Sequence, residues 1–318
     1  MVAIGVPTIF AGRQFTGSEI RDYALRAEGA GASAIAVGDH MNWYNPTLEC
    51  VTTLGFLASI TKLPLLSHVV VAPLRQPFLL AKQSATLATL APGGYTLGIG
   101  VGGEHPTEFA AAGVAVSERG ARTDEILEII AGLKEGQVDH DGRFYNVGQA
   151  KLDPNPGFGL VIGGRADKAL LRAVKYGDAW AGAWVRPERL GRSVERLSEL
   201  SEASGRAKPP AVLVHVRVTM GADEASAWEE ASTFLSAHYN ADPVPMRPHT
   251  LCGNADQVAS RLLEFKQAGA AEVVVTFAGE DQGAQLESFC DQVLEKVPEL
   301  QTAWPLRQPS STETQDSL

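Results

Sequence analysis

A single (β/α)8 TIM barrel with insertions, of the α/β class, is the fold this sequence predicts, and three observations carry that prediction. Eight short β-rich runs alternate with helical patterns from the first residues to about residue 300. The segments between them repeat their apolar residues at the helical period. The length of 318 residues suits one α/β barrel, which commonly takes roughly 250 residues. Eight βα units imply a parallel sheet, and eight that close on themselves form the barrel; an open doubly wound sheet is the alternative.

The strands are expected near Val2 to Val6, Ala34 to Val37, Ser67 to Ala72, Tyr95 to Ile99, Gly159 to Ile162, Asp178 to Ala181, Val212 to Thr219 and Glu272 to Phe277. Each is a short run rich in Val, Ile or aromatic residues. The helices are marked by spacing. Ile126, Ile129, Ile130 and Leu133 fall at i, i+3, i+4 and i+7, and Val258, Leu262 and Phe265 at i, i+4 and i+7, so each set forms one apolar face. Asn254 followed by Gln257 resembles a capping box, and Gly136 is a stop signal. Two stretches break the alternation: GQVDHDGRFYNVGQAKLDPNPG before the fifth strand and AHYNADPVPMRPHTLCG after the seventh. Asp141-Gly142 in the first predicts a β-hairpin. Loops this long are uncommon without a task, so both are candidate walls of a site. Residues 1–300 are expected to form the barrel domain and 301–318, poor in apolar residues after Trp304, a disordered tail.

Lys and Arg number 27 against 37 Asp and Glu, a net charge of −10, with 45% apolar residues. An acidic balance without a basic block excludes nucleic acid and anionic membrane as partners. MVAIGVPTIF lacks the basic start of a signal peptide, and the apolar region Val51 to Leu74 is broken by Lys62, Pro64 and His68. The expected location is cytoplasmic. Cys50, Cys252 and Cys290 lie far apart and form neither a CxxC pair nor a disulfide framework.

Three groups of residues could carry chemistry. Gly38-Asp39-His40 ends the second strand and runs into Met41-Asn42-Trp43-Tyr44. In a barrel, strand ends form the catalytic face. A histidine there can transfer protons, Asp39 can bond the backbone or a heterocycle, and the two aromatics can stack; a plain turn cap is the competing reading for Asp39. Gly98-Ile99-Gly100-Val101-Gly102-Gly103 formally satisfies GxGxxG, yet no helix opens at once behind it, the first clear one starting near Ser117. A Rossmann site is therefore disfavoured. Gly102 and Gly103 either let backbone approach a flat ligand, with Glu104 and His105 at the pocket mouth, or serve tight packing. Gly163-Gly164-Arg165, entering the fifth helix, could cradle a phosphate at its N-terminus or serve chain geometry alone. His215 and Arg217 alternate with apolar residues as in an ordinary strand. His238, Asp242 and His249 lack metal-ligand spacing, so no metal is expected.

Together, ALRAEGAGASAIAVGDH, VVVAPLRQPFLLAKQSATLATLAPGGYTLGIGVGGEHPTEFAAAGV, ERGARTDEILEIIAGLKEG, the GRFY hairpin and VIGGRADKALLRAVKYGDAW resemble the bacterial luciferase-like superfamily. GDH at the second strand and PLRxP after the third are similar to its coenzyme F420-dependent branch. The resemblance implies an oxidoreductase that moves a hydride between this deazaflavin and a small organic substrate, with FMN-dependent monooxygenation as the alternative and a non-catalytic flavin-binding protein as the reading from another class. By that resemblance Asp39 contacts the cofactor ring region, His40 acts at the reacting face, and Val69, Val70 and Val71 back the ring, with a non-prolyl cis bond falling within Val69 to Val71. Gly163, Gly164 and Arg165 hold the phosphate, Glu104 supplies an acid with Gly103 as the offset match, and Trp43, Tyr44, His105 and Trp184 line the substrate pocket. A homodimer is implied. Nothing resembles a sugar-phosphate pocket.

Overall fold

The computed structural model describes residues 1–8 and 15–300. In chain order its strands are β1 (Val2–Gly5), β2 (Ile35–Val37), β3 (Leu65–Ser67), β4 (Val70–Val71), β5 (Tyr95–Gly100), β6 (Val138–Asp141), β7 (Asn146–Ala150), β8 (Gly159–Gly163), β9 (Ala179–Ala183), β10 (Ala211–Met220), β11 (Thr250–Gly253) and β12 (Glu272–Phe277). The helices are α1 (Gly17–Gly29), α2 (Cys50–Ala58), α3 (Pro77–Leu90), α4 (Pro106–Ala111), α5 (Arg119–Glu135), α6 (Asp167–Tyr176), α7 (Pro187–Ala203), α8 (Glu224–Tyr239), α9 (Ala255–Gln267) and α10 (Gln282–Phe289). The bond between Asp153 and Pro154 is cis. Among these helices none is long and apolar enough to cross a membrane.

Parallel pairing runs from β1 through β2, β3 with β4, β5, β8, β9, β10 and β12 and returns to β1, which closes an eight-stave barrel and removes the open-sheet alternative. Strand parity then sorts side chains between two layers. Ala3, Ala36, Leu66, Val161, Ala181, Leu213 and Val274 point inward and pack as a plug of small and branched residues. Val2, Ile35, Leu65, Leu97, Val214 and Val275 point outward against the helices, where Ile126, Ile129, Ile130 and Leu133 of α5 meet them. The helix starts are as local as the spacing suggested. Asn254 and Gln257 bond each other's backbone in a full capping box, Thr16 and Glu19 do the same for α1, and Gly136 ends α5 at φ +132°.

Four expectations are corrected. The third stave begins at Leu65, two residues early, and is broken: β3 stops at Ser67, the bond between His68 and Val69 is cis, and only Val70 and Val71 rejoin β5. A short helix, α4, opens at Pro106, well before Ser117. The β6–β7 hairpin forms, but it stands against the helix layer: Glu125 of α5 accepts the amides of Arg143, Phe144 and Tyr145, and Arg122 lies 4.5 Å over the Phe144 ring. It does not wall the site. Finally, α8 extends to Tyr239, so His238 belongs to a helical turn and is buried. The expected tail after residue 300 lies outside the described residues.

Candidate active site

Next along the inward parity from the plug come His68, His215 and Thr276, and these remain partly exposed where the plug is not. They mark the C-terminal mouth of the barrel, the face on which such folds place chemistry. β10 is ten residues long, and its second half pairs with β11 after β9 ends. The insertion carrying α8 and β11 thereby comes to the mouth, where Trp43 Nε1 donates to the His238 carbonyl at 2.9 Å. The second long stretch is therefore a wall of the site.

His40 lies between two partners. Its ring stacks on Trp43 with centroids 3.7 Å apart, and its Nδ1 faces Glu108 Oε2 at 3.3 Å. Glu108, on α4, is fully buried; Oε2 also accepts the Met41 amide, while Oε1 is buried without a partner. Such an unsatisfied buried polar atom calls for an explanation, and a catalytic role is one of the usual ones. Glu104, expected to supply the acid, is exposed on the preceding loop, so the acid that meets His40 is Glu108. Glu108 carries no periodic signal in the sequence, because α4 is six residues long and follows closely on the glycine run. Pro106 with an acid two residues later, a helix-start pattern, was the available signal.

Asp39, expected at the cofactor ring, gives both carboxylate oxygens to the protein. Arg75 holds it in a fork at 2.6 and 2.9 Å, and the Val71 amide donates to Oδ2 at 2.9 Å. Arg75 also bonds Glu49 and keeps its charge, because these two acids outweigh the burial that would lower its pKa. The PLR segment thus ties the end of β2 to the broken third stave. Removing one member of a buried pair of this kind costs roughly 3–5 kcal/mol. Asp39 is a brace for the mouth.

The glycines fit the break. A Cβ on Gly98 would collide with the Ser67 carbonyl, and one on Gly100 would fall 2.6 Å from Val69 Cγ2. Gly163 lies under the same valine. Val69 therefore projects into the barrel over a glycine floor, whereas Val70 packs outward in the core and Val71 lies against Gly102. Gly102 (φ +59°) and Gly103 (φ +105°) are needed both for conformation and for space, which is taken by Val71 with Phe109 and by Arg119. At these positions packing explains the glycines.

Gly164, at φ +138°, donates to Ala181 and accepts from Trp180 Nε1. The α6 N-terminus behind it has no side-chain cap. Arg165 is exposed beside it, and Arg189 donates to the Arg165 carbonyl. Burial first, then the charges of Arg186, Arg165 and Arg189, lower the pKa of His249, so three cations lie near one another at this corner. Uncapped helix amides with such cations suit an anionic group.

The aromatic residues form one cluster. Tyr44 is exposed and packs on His105 at 4.3 Å; Trp43 lies 5.5 Å from His105 and 5.9 Å from Tyr239; Trp184 reaches Tyr239 at 5.4 Å. His105 also bonds Thr107. Burial holds the His68 pKa down at about 4, and burial with the nearby Arg217 pushes those of His215 and His238 well below the usual value. These three rings are neutral at pH 7. Among the described residues no group of three or more His, Cys, Asp or Glu is placed to hold a metal.

The sequence matches the family described as luciferase-like monooxygenase over residues 7–272. An uncharacterized protein of Mycobacterium tuberculosis is 36% identical over 163 residues, which cover 50% of this chain and 56% of the relative. The match thus spans about half the length of that relative. A protein of Kineococcus radiotolerans named F420-dependent glucose-6-phosphate dehydrogenase is 26% identical, with 88% of this chain and 93% of the relative covered. Among solved structures, an F420-dependent secondary alcohol dehydrogenase in complex with an F420-acetone adduct superposes with a TM-score of 0.80 at 18% identity, covering 95% of this chain and 99% of the other.

Proposed function

We propose, from the premise that the chain belongs to the luciferase-like monooxygenase family, that it is an oxidoreductase that uses coenzyme F420 to exchange a hydride with a small organic substrate. The observation that carries this reading is the His40–Glu108 pair: a histidine stacked on Trp43 at the barrel mouth, backed by a buried carboxylate with one unpartnered oxygen. That array suits a reaction in which a substrate atom gains or loses a proton while a hydride moves.

The residues present fit a deazaflavin. Glu108 Oε1, His68 Nδ1 and His238 Nδ1 are buried polar atoms without partners. The neutral rings and the Val69 surface over the glycine floor offer a flat, weakly polar bed, and the α6 N-terminus with Arg165, Arg186 and Arg189 offers a place for its phosphate. When bound, a deazaflavin supplies two-electron hydride chemistry, since it carries carbon at position 5, where a flavin has the nitrogen that supports one-electron chemistry. The chain does the rest. His40 donates to Glu108 from Nδ1, which leaves Nε2 to exchange the substrate proton and Glu108 to stabilise the charge that the ring acquires. Trp43 holds the imidazole plane and is itself fixed by the His238 carbonyl.

The relatives named as F420-dependent support the cofactor; the second reading, FMN-dependent monooxygenation, is favoured by the description of the family itself. Anaerobic assay with F420 and alcohols, or with reduced F420 and aldehydes, imines and activated alkenes, separates the two. Cofactor turnover without oxygen is expected. Turnover seen only with reduced FMN, and only in air, would replace this proposal with the monooxygenase.

A further inference from the structure

Arg217 lies on the inward parity of β10, two residues beyond His215 and four beyond Leu213 of the interior plug. It is 6% exposed. Its Nε and Nη2 donate to Tyr239 Oη at 3.1 and 2.8 Å, its Nη1 donates to Thr276 Oγ1 at 3.4 Å, and it sits over the Phe234 and Tyr239 rings. These partners are neutral hydroxyls and ring faces. Among the described residues no acid lies within ion-pair distance of it, whereas Arg75, which is less enclosed, has both Asp39 and Glu49. A buried charge is costly unless it is paired. A guanidinium has five N–H donors, so Nη1 and Nη2 each keep one more, the fork that grips a carboxylate through two parallel bonds.

We infer that Arg217 is an anion receptor inside the barrel mouth and that the substrate is a small organic carboxylate with an apolar or aromatic body. This deepens the proposed function and rests on that reading of the site. The direction is set by neighbours. Tyr239, which holds the guanidinium, contacts both Trp43 and Trp184, and Trp43 stacks on His40. A carboxylate on Arg217 would therefore lie along an aromatic wall that leads to the proton-transferring ring. His68, His215 and His238 are held neutral, so Arg217 is the fixed charge of this interior group. Thr276 shares its hydroxyl between Arg217 and His215, which ties the receptor to the barrel wall.

The test uses benzoate and its neutral isostere benzamide as probes of the full chain loaded with F420, read by tryptophan fluorescence and calorimetry, with F420 affinity measured on the same samples. Benzoate is expected to bind at least about tenfold more tightly than benzamide. Arg217→Met should remove that preference and leave F420 affinity within about twofold. Arg217→Lys, which keeps the charge but loses the fork, should retain part of it. If Arg217→Met does not fold, the wild-type comparison with Arg217→Lys decides. Equal binding of the two probes, no binding of benzoate, or benzoate binding that survives Arg217→Met would overturn the proposal. A fall in F420 affinity with no benzoate preference would place the anion on the cofactor ring and overturn it too. Failure of F420 to bind the wild type would strike the cofactor reading, while the probe comparison still reports on Arg217.

Discussion

His40→Ala lowers turnover by about 10²–10⁴-fold, Glu108→Gln lowers it through the same step, and the double substitution costs no more than His40→Ala alone. The two side chains meet at 3.3 Å, and Glu108 acts on the transferred proton through His40. Once the imidazole is gone, the carboxylate still holds the Met41 amide but no longer has a proton-transferring ring to orient. Groups that act as a unit are non-additive in this way, and the double-mutant cycle isolates that coupling from independent damage. Stability gives a second readout. Glu108 is buried with an oxygen that lacks a partner, so Gln, which is uncharged at nearly the same volume, should leave the melting temperature unchanged or raised. Loss of activity with retained stability separates this role from a structural one. Additive losses in turnover, or a folding defect in Glu108→Gln, would contradict it.

Gly98→Ala is expected to cost about 3 kcal/mol or more and to distort the mouth, whereas Gly55→Ala in α2 should stabilise by about 0.5–1 kcal/mol. The same added methyl has opposite effects because of what it meets. At Gly98 it runs into the backbone carbonyl of Ser67, beside the Val69 side chain, where the third stave breaks. Backbone on both sides cannot retreat without moving β3 from β5. At Gly55 nothing lies within 4 Å, so the methyl only removes freedom from the unfolded chain. Denaturant unfolding of the two variants beside the wild type measures both signs. A Gly98→Ala protein of wild-type stability would mean that the close approach of Ser67 to β5 is not as described.

Local signals made much of this fold legible. The eight strands depend on neighbours one or two residues apart, the α5 face and the Asn254–Gln257 box on neighbours three or four apart, and a linear reading finds them. The GDH segment was legible as a site for the same reason, since a polar residue at a strand end is visible without its partners. What escaped depends on distance in sequence. Asp39 is claimed by Arg75, 36 residues away, and Val69 explains Gly98, Gly100 and Gly163 from another stave. Glu108 reaches His40 across 68 residues on a helix too short to show a period. Arg217 alternates with valines and so reads in sequence as an ordinary strand residue. That alternation places it on the same face as Leu213, inside the barrel, where a charge requires a reason.

The measurement that bears most directly on the central claim is equilibrium titration of the purified protein with F420 and with FMN, each oxidised and reduced, followed by fluorescence. A mouth built from neutral rings, a glycine floor and a cationic corner beside the α6 N-terminus, serving hydride transfer, predicts saturable F420 binding at least about tenfold tighter than FMN binding. Tight FMN binding with weak or absent F420 binding would contradict it.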